Sequence, residues 1–269
     1  MINLHEVVKF FHKGSVNEVH ALDRMDLHLK EGDFVSVIGS NGAGKSSLLN
    51  CIAGNFFPDS GTIEIDGKNV TTWPEYKRAA MVARVFQDPL LGTCPSATIE
   101  QNLALAALRG RSLGLRQGVK GIDRERFRNE LARLKLGLED RLLDKVGLLS
   151  GGQRQALTML MATSVRPKVL LLDEHIAALD PKTANQILLL TKEIVEGQRL
   201  TTLMITHNMN HAIAFGNRLI MLHKGRVLFD LSGEEKANLT VNDLFQKLYK
   251  IEGEELAVDS LLLRQEHLV

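Results

Sequence analysis

Cysteine is scarce in this sequence. The two thiols, Cys51 and Cys94, stand at no metal-ligand spacing, so neither a disulfide framework nor a cysteine-held zinc can be built. The chain opens Met1-Ile2-Asn3-Leu4-His5-Glu6, without the pattern of a signal peptide, and both thiols are read as reduced, in a cytoplasmic protein. Long apolar runs are missing too. None approaches the ~20 residues that cross a bilayer, so work at a membrane would require another chain to hold this one there. Neither charge is in excess: 33 basic residues face 32 acidic ones, and the net charge of +1 gives no electrostatic reason to expect nucleic acid as a partner. A modest basic cluster, Arg124, Arg126, Arg128 and Arg133, alternates with acids and reads as a solvated helix face. There is no internal repeat and no low-complexity segment.

Apolar residue is plentiful. Of 269 residues, 44% are hydrophobic and 24% charged, which suits one large domain with a sizeable insert and a well-filled core. Residues 7–11 and 19–29 alternate as strands do. Residues 31–33 then turn the chain into Phe34-Val35-Ser36-Val37-Ile38, short, β-branched and apolar, as a strand buried on both faces should be. A glycine-rich loop and a helix at 46–53 follow, and turns flank an edge or hairpin strand at 62–65. From 99 to about 143 the period becomes helical, at 102–108 and 124–136, around a glycine-rich stretch at 110–121. Strands resume at 169–172, 202–205 and 219–222. This alternation on both sides of a helical block predicts an α/β fold, a parallel-sheet core with an inserted helical subdomain. A last helix is expected near Thr240, where Thr-x-x-Asp offers a cap.

Three strings carry chemistry. Gly39-Ser40-Asn41-Gly42-Ala43-Gly44-Lys45-Ser46 fits G-x-x-x-x-G-K-[ST] between a buried strand and a helix. Glycines let successive N–H groups point at phosphate oxygens, and the helix N-terminus adds partial positive charge. Lys45 can neutralise the β- and γ-phosphates and the Ser46 hydroxyl can take one Mg²⁺ position. Val169-Leu170-Leu171-Leu172-Asp173-Glu174 delivers two acids to the carboxyl end of a buried strand: Asp173 for Mg²⁺, Glu174 for the water that attacks the γ-phosphate. Leu149-Ser150-Gly151-Gly152-Gln153 heads a helix at 153–162 and reads as a second anion site. Two phosphate sites are redundant in one chain unless the second faces the nucleotide of another subunit.

These strings, in this order, resemble the ATP-binding cassette family, whose signature is L-S-G-G-Q; the resemblance runs over roughly residues 1–230. Gln87, after a strand at 81–86, matches the Q-loop glutamine; Ala178-Leu179-Asp180 resembles the D-loop; His207 resembles the switch histidine. Phe11 stands where the family places an aromatic on adenine, and Val19 beside it. The resemblance implies a P-loop NTPase (RecA-like) core with an N-terminal antiparallel β subdomain and a helical subdomain at about 90–160, then a helical tail at 231–269. It implies ATP and Mg²⁺ as cofactors. Nucleotide would be held by Phe11, Val19, Ser40, Asn41, Gly42, Ala43, Gly44, Lys45, Ser46 and Ser47, and the metal by Ser46, Gln87 and Asp173. Hydrolysis would use Glu174, His207, Lys45 and Gln87. In a head-to-tail dimer with a second copy, Ser150, Gly152 and Gln153 would reach the nucleotide in trans, with Asp180 at the interface. His175-Ile176 departs from the family's commoner Pro-Thr, and Ser46-Ser47 from Ser-Thr.

A single cassette on its own chain resembles the subunit of a bacterial importer. Integral-membrane permease subunits and an extracytoplasmic solute-binding protein would complete it, with this chain on the inner face of the membrane. The strings Asp173-Glu174-His175, Ile205-Thr206-His207-Asn208-Met209 and Gly216-Asn217-Arg218-Leu219-Ile220 resemble the branch linked to amino-acid uptake, aromatic ones included. Two alternatives stay open. DNA-maintenance ATPases split the cassette with a long coiled coil, and too few residues separate Gln87 from Leu149 for one. Ribosome-acting cassette proteins carry two cassettes, and here there is one.

Overall fold

A computed structural model of the chain describes residues 1–111, 119 and 121–252. Most of the glycine-rich stretch at 110–121 and the tail beyond 252 lie outside the described residues. The chain divides into two units, Met1–Thr72 with Leu203–Val269, and Trp73–Thr202. The first holds strands β1 (Ile2–Phe11), β2 (Val19–Leu29) and β3 (Phe34–Ile38), helix α1 (Lys45–Ala53), and strands β4 (Ser60–Ile65) and β5 (Lys68–Asn69). The second holds α2 (Glu75–Arg78), β6 (Val82–Val85), α3 (Ile99–Ala107), α4 (Gly121–Ala132), α5 (Gly151–Ser164), β7 (Val169–Asp173) and α6 (Pro181–Gln198). The division falls inside β8 (Thr201–Ile205), after which come α7 (Met209–Ala214), β9 (Arg218–His223), β10 (Arg226–Ser232), α8 (Gly233–Ala237) and α9 (Val241–Glu252).

In the first unit, β2, β1, β4 and β5 form an antiparallel sheet in that order. Alternation sets its register: Ile2 opposes Leu29 and Ile65, and Leu4 opposes Leu27 and Ile63, so one face is a buried apolar row. Every residue of β3 is buried, and β3 pairs in parallel with β9, Val35 opposite Arg218 through Ile38 opposite Met221. Strand β10 then adds antiparallel to β9, so the sheet expected to be parallel is mixed. The boundary expected at residue 231 falls within β10. Leu231, Leu239 and Leu244 are buried with Ile38, Met209, Ala212, Leu219 and Met221, which makes α8 and α9 part of this core. Burial of each leucine contributes roughly 1.5–3 kcal/mol. Helix α9 starts as Thr-x-x-Asp predicts: the Asp243 N–H donates to Thr240 Oγ1 (3.2 Å) and the Thr240 N–H to Asp243 Oδ2 (2.9 Å).

In the second unit, β6 and β7 pair in parallel, Val82 opposite Val169 through Val85 opposite Leu172. Strand β7 reads as a continuous aliphatic run because all four of its aliphatics are fully buried. Helix α5 packs against α3, α6 and β6, with Ala156, Leu157 and Met159 wholly buried. Two of the α4 arginines have acid partners, one in α3 and one in α4: Arg124 Nε donates to Glu100 Oε2 at 2.6 Å, and Arg126 lies 3.7 Å from Glu130.

Candidate functional site

The loop between β3 and α1 is shaped by positions that tolerate only glycine. A Cβ at Gly39 would sit 2.3 Å from the Leu222 carbonyl oxygen, and one at Gly44 would sit 2.5 Å from that of Ala21. Gly44 also takes a left-handed backbone, φ +100°, as the N-cap of α1, and no side chain caps the helix. No side-chain cap therefore competes with an anion at the start of α1. Lys45 is buried and folds back over the loop, Nζ donating to the carbonyls of Gly39 (2.6 Å) and Ser40 (2.9 Å). A buried ammonium beside a glycine-built helix start places positive charge where a compact anion could be neutralised. Asn41, Gly42 and Ser46 are exposed, Ser40 and Ser47 half-buried, and Ala43 buried.

Phe11 and Val19 are cross-strand partners at the end of the β1–β2 ladder, so the two residues expected beside adenine are brought together. Phe11 also meets Phe56 edge to face, centroids 5.2 Å apart, with Lys9 Nζ within 5.6 Å of both rings. His207 follows β8 in the same unit and is half-buried, directly before Asn208, the N-cap of α7.

In the second unit Asp173 ends β7 and Glu174 follows with φ +45°, a left-handed conformation uncommon outside glycine. His175, the departure from the family pattern, is buried and its Nε2 lies 3.1 Å from Thr191 Oγ1, tying the turn to α6. Asp180 caps α6, accepting from the Thr183 N–H at 3.1 Å, and hydrogen bonding to the Thr183 side chain first, then to its N–H, holds the carboxyl below the ordinary value. Gln87 is exposed just beyond β6.

Ser150 and Gln153 form a reciprocal capping box at the head of α5: Ser150 Oγ accepts from the Gln153 N–H (3.3 Å) and Gln153 Oε1 from the Ser150 N–H (3.2 Å). Gly152 is buried against α6, where a Cβ would meet Thr183 Cγ2 at 2.3 Å. The pattern S-x-x-Q carried this capping signal in the sequence, where it was read only as an anion site. Sequence reasoning also passed over Arg84. Its Nη2 donates to Asp173 Oδ2 at 2.5 Å, one strand across.

Ser46, Gln87 and Asp173 are all oxygen donors, a set that suits a hard divalent cation shared with phosphate. Among the described residues no three His, Cys, Asp or Glu side chains form a protein-only metal cage.

Comparison with known proteins gives one consistent picture. Residues 22–177 match the family model described as ABC transporter. A tyrosine transport ATP-binding protein of Clostridioides difficile is 49% identical over 225 residues, covering 84% of this chain and 89% of that one. A methionine import ATP-binding protein of Vibrio vulnificus is 35% identical over 238 residues, 84% of this chain but only 65% of its own length. Among solved structures, a dimeric ATP-binding cassette in a post-hydrolysis state bound to ADP and Pi superposes with a TM-score of 0.73 at 31% identity, covering 86% of this chain and 98% of that one.

Proposed function

The chain belongs to the ABC transporter family as an ATP-hydrolysing cassette, and from that premise we propose that it is the nucleotide-binding subunit of a bacterial amino-acid uptake system. The glycine-built loop at 39–46, with Lys45 buried against it, supports nucleotide binding most directly. The tyrosine and methionine systems named for its relatives favour an amino acid as cargo. No helix among the described residues is long and apolar enough to cross a membrane. In this reading the permease is formed by other chains and keeps this one at the inner membrane face, and an extracytoplasmic solute-binding protein delivers the cargo. Helices α3 and α4, of 9 and 12 residues, offer no coiled coil of the kind DNA-maintenance ATPases carry.

Each residue then has a task. Phe11 and Val19 receive adenine. The N–H groups of residues 40–47 and the Lys45 ammonium bind the β- and γ-phosphates. Ser46, Gln87 and Asp173 would hold Mg²⁺, which would supply charge neutralisation on the phosphates. Glu174 accepts a hydrogen bond from the attacking water and takes its proton as the water oxygen bonds to the γ-phosphorus and the bond from that phosphorus to the ADP oxygen breaks, and the proton then passes to the phosphate released. His207 donates to the γ-phosphate. Ser150, Gly152 and Gln153 of a second copy close over the same phosphate, with Asp180 beside them, so ATP joins the two copies and hydrolysis lets them part.

Glu174→Gln tests this reading. Turnover should fall about 10²–10⁴-fold while ATP binding persists, and a dimer should accumulate with ATP on size-exclusion chromatography. Near-normal hydrolysis in that variant would sink the assignment. With its permease co-expressed, the chain should co-purify in membranes; recovery only with ribosomes or DNA would reject the transport role.

A further inference from the structure

The Asp173 carboxylate already has a cation. Arg84 lies on β6, whose residue 84 is opposite Leu171 of β7, and its guanidinium Nη2 reaches Asp173 Oδ2 at 2.5 Å. Both side chains are largely shielded, at 13% and 16% exposure, so their attraction is not the weak, screened kind found on open surface. Period-two alternation sends residues 84 and 86 to the same side of the extended chain. The guanidinium carbon accordingly sits 4.7 Å from the centre of the Phe86 ring. The Phe86 carbonyl in turn accepts from Gln155 Nε2 of α5 at 3.3 Å, and Phe86 directly precedes Gln87. One arginine is thus tied to the carboxylate, to the segment that carries Gln87 and, through it, to the helix headed by Ser150 and Gln153.

We propose that Arg84 is a positioning residue that sets the divalent-cation dependence of nucleotide binding, by holding Asp173 Oδ2 and opposing, with its own charge, any cation that shares that carboxylate. This rests on Asp173 being a metal ligand. Two effects compete. Arg84 fixes the carboxylate's rotamer, which favours a metal, and it places a positive charge beside that metal, which disfavours it. A divalent cation doubles the repulsion, whereas fixing one short side chain is a small gain. The charge term wins, and the metal is held less tightly than an unpaired carboxylate would hold it.

The test is equilibrium binding of a fluorescent, non-hydrolysable ATP analogue to the full chain, titrated with Mg²⁺. Arg84→Met, which keeps the stem and removes the charge, should lower the Mg²⁺ midpoint about tenfold and leave affinity in EDTA unchanged. Arg84→Lys, which keeps the charge, should stay near the original midpoint. A midpoint in Arg84→Met that is unchanged or higher overturns the proposal. Asp173→Asn separates the two levels of inference. If it leaves the Mg²⁺ midpoint untouched, the metal assignment of Asp173 fails. If it abolishes the Mg²⁺ dependence while Arg84→Met shows no shift, only the role of Arg84 fails. Should Arg84→Met not fold, the Arg84 Nε–H resonance of the unaltered chain serves instead. It should move when Mg²⁺ is added with the analogue and not with the analogue in EDTA; a resonance that stays in place overturns the proposal.

Discussion

The two glycine-bearing turns at residues 39–46 and 150–153 look alike in sequence and behave differently. Both stand immediately before a helix, α1 or α5, and both offer N–H groups at its positive end. At α1 the cap is a left-handed glycine with no side-chain partner, and glycines are required because backbone carbonyls approach too closely for any Cβ. At α5 the cap is Ser150, and Ser150 and Gln153 satisfy each other's N–H groups. Gly152 there is required by a neighbouring helix, not by a backbone turn. At the first turn no side chain takes an N–H group of the helix. The second uses two of its N–H groups on its own side chains. A glycine-rich helix start is an anion site only to the extent that its own side chains leave the donors open.

Breaking the first turn should have the largest effect. Gly39→Ala places a methyl group 2.3 Å from the Leu222 carbonyl oxygen, where backbone must move. Nucleotide affinity should fall at least about a hundredfold, roughly 3 kcal/mol, by fluorescence titration; a loss under threefold would show that the loop adapts. Lys45→Met should lose affinity comparably. Lys236 is its control, since it also donates to two backbone carbonyls, Phe215 O (2.6 Å) and Gly216 O (2.5 Å), far from any glycine cradle in sequence. Lys236→Met should keep nucleotide affinity, and a loss there would mean that a lysine folded onto carbonyls is the essential feature, not the glycine loop.

The second turn should yield on stability. Gly152→Ala drives a methyl group into Thr183 Cγ2, which costs about 1–3 kcal/mol in thermal unfolding. Thr183→Ser removes that methyl and should recover most of the loss in the double variant; no recovery would place the conflict elsewhere. Ser150→Ala breaks the capping box, with a loss of about 1 kcal/mol in the isolated chain. If the same hydroxyl closes over the phosphate of a second copy as proposed, turnover should fall by more than that loss explains.

A separate effect concerns pH. Burial lowers the Lys236 pKa from 10.5 to about 8. Between those values the unfolded chain binds more protons than the folded one, so stability should rise with pH from about 8 to 10.5. Lys236→Met should remove that rise in a series of thermal melts, and a rise that persists would assign it to another group.

Much of the fold was legible because its signals are local. β3 stood out as five buried residues in a row, α1 as the helix after a glycine loop, and α9 as the helix after Thr-x-x-Asp. β10 and α8 gave no clear signal: β10 has a single buried residue, Leu231, and no clean alternation, and α8 has only five residues. At the site, the residues fixed by motif could be named from spacing alone, while those fixed by neighbours could not. Arg84 gives no sign in a single sequence that it faces Asp173, because that pairing depends on β6 lying beside β7 in one register. His175 looked like a mere departure from a pattern, and its burial against Thr191 became visible only once α6 was placed.

The sequence by itself determined the chemistry: a phosphate loop, two acids at the end of an apolar strand and a serine-glycine helix start, each set by spacing within about ten residues. Membership of the ABC transporter family follows from those strings in that order. Tertiary structure decided how the groups are held. Only packing showed that the glycines at 39 and 44 yield to backbone and the one at 152 to a side chain, that Ser150 and Gln153 close on each other, and that Asp173 is paired with Arg84. The physical reason is range. Motif residues are placed by the local geometry of one turn, whereas close approaches and ion pairs form between segments that the chain brings together only by folding.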